Sequence, residues 1–143
     1  MDSRVFAGLL FLAAWTTVSG AEPVGPFCFS AAPFLDVYEW YFEAQGGSNF
    51  VITGRDLVGN RAQSANGFVA GGSFIFGFST YPLSSSEDPV LGGGTIHLDT
   101  LSGPAVCYAP DFESCGAFTI ALVSCPSRGS TPASAARVQG RSK

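Results

Sequence analysis

The stretch GSFIFGFSTY, residues 72–81, sets Phe74, Phe76 and Phe78 on every second position, with Ser73, Gly77 and Ser79 on the other parity. An extended chain sends successive side chains to opposite faces, so the three phenylalanines share one face of a strand. That face must meet a packed core, a lipid bilayer or a bound molecule. The same period recurs. In FLDVYEWYFEA, Tyr38, Trp40 and Phe42 fall on one face and Glu39, Tyr41 and Glu43 on the other. In NFVITGRDL, Phe50 and Ile52 oppose Asn49, Thr53 and Arg55. In CGAFTIALVSC, Phe118, Ile120 and Leu122 share a face, and no helical period appears.

Turn chemistry separates these runs. QGGS and VGN break the first two, and Gly71-Gly72 is preferred over Asn66-Gly67 as a hairpin turn because it leaves strands of similar length, about 62–69 and 73–81. YPLSSSEDPVLGGG reads as a long loop, with Gly92–Gly94 a flexible approach to the next strand. TIHLDT then buries Ile96 and Leu98 and exposes Thr95, His97 and Asp99. LSGP turns the chain into AVCYA, and PDFES turns it again. Seven strands result, with Phe27–Ser30 a candidate eighth. Connections this short make neighbours antiparallel. The expected fold is all-β, an antiparallel up-and-down meander of 7–8 strands closing into a small barrel, with a β-sandwich as the alternative. One aromatic face per strand would line the interior, with Ser, Thr, Glu and Arg outside. A membrane barrel reverses that polarity over strands of about ten residues.

At 143 residues the chain has room for one domain. Its first 21 residues have the order of a secretory signal peptide: Arg4, the apolar run VFAGLLFLAAW, then small residues at Ser19 and Ala21. The run is too short for a membrane span, which needs about 20 apolar residues. The expected organisation is therefore 1–21 signal peptide, 22–125 β-barrel domain and 126–143 disordered tail, the last poor in large apolar residues. Residues 22–125 hold ten acids against Arg55 and Arg61. An acidic body of this kind argues against nucleic acid as a partner.

Four cysteines in an exported chain imply two disulfides. Cys115 and Cys125 bracket one strand, about 33 Å apart at ~3.3 Å per residue, whereas a disulfide needs Cα atoms within ~7 Å. Of the remaining pairings, Cys107–Cys115 closes a hairpin directly. Cys28–Cys125 then joins the first strand to the end of the last, which are neighbours in a closed antiparallel barrel. No close cysteine pair suggests zinc.

The register RAQSANGFVAGGSFIFGFST followed by TIHLDTLSGPAV and GAFTIAL resembles small secreted bacterial proteins of calycin-like (lipocalin or avidin-like) barrel character, over about residues 33–122. The resemblance implies an eight-stranded barrel and transfers no binding residue.

No phosphate loop, nucleophile elbow or metalloprotease motif is present in the sequence. His97 and Asp99 share a strand face, but no nucleophile stands beside them, and a solvent-facing pair is the expected reading. Glu39 and Glu43 lie about 13 Å apart along a strand, beyond either glycosidase spacing. A non-catalytic secreted or periplasmic barrel without cofactor is expected, binding a small apolar molecule at its mouth through Tyr38, Trp40, Phe74, Phe76 and Phe78. The alternative is a structural or interaction protein with a solid barrel, acting through loops or a sheet edge. An extracellular hydrolase is the least favoured reading.

Overall fold

The computed structural model describes residues 22–82, 89–108 and 114–127. The expected leader, and the expected tail beyond Ser127, lie outside these residues. Eight strands follow one another: β1 (Val24–Ala32), β2 (Val37–Gly46), β3 (Asn49–Asp56), β4 (Arg61–Ala70), β5 (Ser73–Pro82), β6 (Val90–His97), β7 (Ser102–Tyr108) and β8 (Ser114–Val123). Each pairs antiparallel with its sequence neighbours, and β1 also pairs with β8, from Cys28 opposite Val123 to Ala32 opposite Thr119. The sheet is thus a closed eight-stranded up-and-down barrel, and the sandwich alternative is excluded. Closure removes both sheet edges, so the described strands offer no open edge to another chain.

Register follows from which parity is apolar. Tyr38, Trp40 and Phe42 on β2, Phe50 and Ile52 on β3, and Phe74, Phe76 and Phe78 on β5 are buried together with Phe29, Ile96, Phe118 and Ile120. A one-residue slip would move every one of these rings into water. Gly71 and Gly72 connect β4 to β5 with φ of 55° and 75°. Both angles are left-handed, as the tight hairpin turn requires, and glycine adopts them without steric cost.

The outer face is more mixed than expected. Glu39 pairs with Arg55 at 3.1 Å across β2 and β3, and Ser64 and Ser79 lie opposite each other on β4 and β5. Yet Val51, Phe68, Ile75, Leu91 and Tyr108 are exposed on the same surface.

Three sequence expectations are revised. Gly92–Gly94 is strand, not a flexible approach: the triplet sits inside β6 and pairs with β5 and β7. The reason is packing. A Cβ at Gly92 would collide with the Phe78 ring, and one at Gly94 would meet the Ala105 Cβ at 2.6 Å. The large rings of β5 need small neighbours on β6, so the glycines follow from the phenylalanines. Likewise, Ser102, Gly103 and Pro104 belong to β7 rather than to a turn, and the turn is residues 98–101. Pro104 faces outward, and the β6–β7 ladder is interrupted between Gly94–Ala105 and His97–Ser102, where proline has no N–H to donate. Finally, the candidate eighth strand is a full one, β1, longer than the Phe27–Ser30 core read from the sequence.

Both disulfides are present as expected. Cys28–Cys125 has a Cα separation of 5.0 Å and ties β1 to the residues that follow β8. Cys107–Cys115 bridges β7 and β8 with a Cα separation of 5.3 Å. Such crosslinks are compatible with an extracellular or periplasmic setting. No helix among the described residues is long and apolar enough to cross a membrane.

Candidate functional site

Side chains fill the barrel unequally. In the middle, Trp40 is wholly buried, with its ring centroid 5.1 Å from Phe29 and 5.4 Å from Phe76. Its indole N–H donates to Gln63 Oε1 at 2.8 Å, and the Gln63 amide donates to Thr80 Oγ1 at 3.0 Å. This relay satisfies a polar chain inside an apolar core, where an unpaired member would cost about 1–3 kcal/mol. It also carries polarity toward one end of the barrel, where Thr80 stands.

At that end lie the connections 33–36 and 57–60, the last residues of β5 and β7 and the first of β6 and β8. Cross-strand register places Tyr38 of β2 opposite Asp56 of β3, and Asp56 opposite Arg61 of β4. Asp56 continues the inward parity of Phe50 and Ile52, and it is only 2% exposed. One of its oxygens accepts the Val58 N–H at 2.9 Å, closing the turn into β4. Asp36, just before β2, brings a second carboxyl against that of Asp56. Together with Thr80 these residues line a pocket of about 220 Å³. Its other walls are the rings of Phe34, Phe78 and Phe118, Val90, and the Cys107–Cys115 disulfide.

The electrostatics follow from crowding. Burial, then the neighbouring Asp56 carboxyl by both charge and hydrogen bond, push the Asp36 carboxyl above the usual carboxylate range, with Arg61 opposing. The Tyr38 hydroxyl is also raised, by burial first and then by Asp36 and Asp56. Two carboxyls in hydrogen-bond contact cannot both ionise cheaply, so Asp36 keeps its proton into a range where an exposed aspartate has lost its own.

Of the five aromatics expected to face a ligand, Tyr38 and Phe78 line this pocket. Trp40, Phe74 and Phe76 lie deeper, packed among rings. His97 is exposed on the outer face and meets the Ser73 hydroxyl at 3.1 Å, while Asp99 Oδ1 accepts the Thr100 N–H at 2.9 Å. The structure therefore does not join His97 to Asp99. Glu39 is engaged by Arg55, and Glu43 by Gln45. Asp36, Asp56, Arg61, Gln63 and Thr80 were not singled out from sequence. Parity alone places Asp56 with Ile52 and Thr80 with Phe78. Gln63 and Arg61 need the β3–β4–β5 register, and Asp36 needs the path of a connection. No group of three or more His, Cys, Asp or Glu able to hold a metal ion occurs among the described residues.

Comparison with protein-family models, with curated proteins and with solved structures finds no match for this chain.

Proposed function

We propose that this protein is a secreted, non-catalytic binding barrel of calycin-like character that holds a small molecule at its open end. The observation that carries this reading is the contrast inside one barrel: rings fill the middle and one end, and a pocket of about 220 Å³ opens at the other. The pocket combines aromatic walls with a few convergent polar groups, the composition usual for small-molecule sites, though it is smaller than the ~300–1,000 Å³ of drug-sized ones. A molecule of about one ring fits that volume. Of the lining residues, Cys107 and Cys115 are joined in a disulfide and Thr80 Oγ1 accepts from Gln63. These groups are engaged within the barrel, and the reading is one of binding rather than turnover.

The test is a titration with benzyl alcohol, a neutral single-ring probe, followed by residue-resolved NMR. Shifts should concentrate at Thr80, Val90 and Phe118 and leave Phe50 and Phe74 unmoved. Absence of any shift at the pocket would sink the reading. Shifts confined to the exposed apolar residues Val51, Phe68 and Ile75 would replace it with the rival, a solid barrel that acts through its outer surface.

A further inference from the structure

We infer that the pocket is selective for small organic cations, protonated amines carried on a single ring or a short apolar body, over neutral or anionic molecules of the same shape. This rests on the binding reading above and adds the ligand's charge. Two independent features converge on it.

The first is the balance of charge in the wall. Asp36 and Asp56 present two carboxyls against one guanidinium, Arg61. That guanidinium lies near both carboxyls: Arg61 is opposite Asp56 in the β3–β4 register, and its charge also acts on Asp36. With both carboxyls ionised, two negative charges face one positive, and the wall is net negative. The second feature is the aromatic lining. Phe34, Tyr38, Phe78 and Phe118 supply π surface, which attracts cations and most strongly where water is excluded. Neutral and anionic ligands of the same shape share the ring stacking but lack the attraction of a positive charge to the ring faces.

The inference carries a pH dependence with a definite sign. Asp36 faces Tyr38 from β2, Asp56 from β3 and Arg61 from β4. The remaining elements of the wall contribute Thr80, Val90, Phe118 and a disulfide, none of which changes charge in this range. When Asp36 holds its proton, the wall is neutral. As pH rises through its elevated range the wall gains a negative charge, so affinity for a cation must increase, and a bound cation must release that proton.

Calorimetric titration of the full-length protein with benzylammonium, benzyl alcohol and benzoate decides the question. At pH 7 benzylammonium should bind about tenfold or more tightly than benzyl alcohol, with benzoate weakest. The advantage should shrink toward about pH 4, near the ordinary aspartate range. Asp36→Asn should lose most of the preference and its pH dependence, whereas Asp99→Asn, at the far end, should keep both. Benzyl alcohol binding as tightly as benzylammonium throughout, or Asp36→Asn retaining the full preference, overturns the cation inference and leaves the pocket in place. Binding of none of the three overturns the pocket reading with it.

Discussion

The two ends of this barrel are built from the same alternating strands and behave as different materials. At the plugged end Phe42, Phe50 and Phe74 meet one another with centroids 5.6–6.4 Å apart, and Phe27 closes on Phe42 at 5.7 Å. Two of the three connections there, Gly47-Ser48 and Gly71-Gly72, are two residues long. At the open end the ring contacts continue, with Tyr38–Phe78 at 6.0 Å and Phe34–Phe118 at 5.7 Å. The inward positions beyond them, however, are Asp56, Arg61 and Thr80. A carboxyl pair cannot be packed over like a ring, because its charge and hydrogen bonds need room or water. One end is therefore packed with rings, and the other keeps a pocket.

The largest expected effect comes from attacking the packed part. Phe76→Ala removes a ring in contact with Trp40, Phe74 and Phe78 and should cost about 3–5 kcal/mol in a urea melt. A loss below about 1 kcal/mol would mean the interior is not tightly filled, and the contrast between the ends would dissolve. Next is the relay that joins the two regions. Gln63→Leu keeps similar bulk but strands the Trp40 N–H, and should cost about 1–3 kcal/mol, with a shifted Trp40 emission. An unchanged emission maximum would show that the indole finds another partner.

A smaller effect sharpens the comparison at the open end. The Asp36 carboxyl is raised in the folded state, so folding favours its protonated form. Its contribution to stability is fully present below the ordinary value of 3.8 and is lost as pH rises through the elevated one. Urea midpoints of wild type minus those of Asp36→Asn should therefore fall as pH increases above about 4. A difference that rises instead would put the charged form of Asp36 in a favourable setting and contradict its raised carboxyl. Least of all should Ser79→Ala matter. It lies outside, on the parity opposite Phe76 and Phe78, and should stay within about 0.5 kcal/mol of wild type. A larger loss would indict the assigned register.

Most of the frame was legible in the residues. Alternation at Phe74, Phe76 and Phe78 determined both strand and buried face, because a period of two has only two solutions and only one keeps the rings dry. Gly71-Gly72 marked its turn, and the cysteine spacing left one pairing compatible with a closed meander. What escaped depended on partners distant in sequence. Gly92–Gly94 looks like a loop to any local rule and becomes strand only because Phe78 needs the space that a side chain at Gly92 would take. The pocket escaped for the same reason. Asp36, Asp56, Arg61 and Thr80 are ordinary polar residues at strand ends, and nothing near each in the chain marks it as part of a pocket wall. Only closure of the barrel, with β3 set between β2 and β4 in one register, brings them to a common wall. The sequence by itself determined which residues are inside. The tertiary structure decided which of them leave a space, because an unfilled volume belongs to several strands at once and is written in none of them.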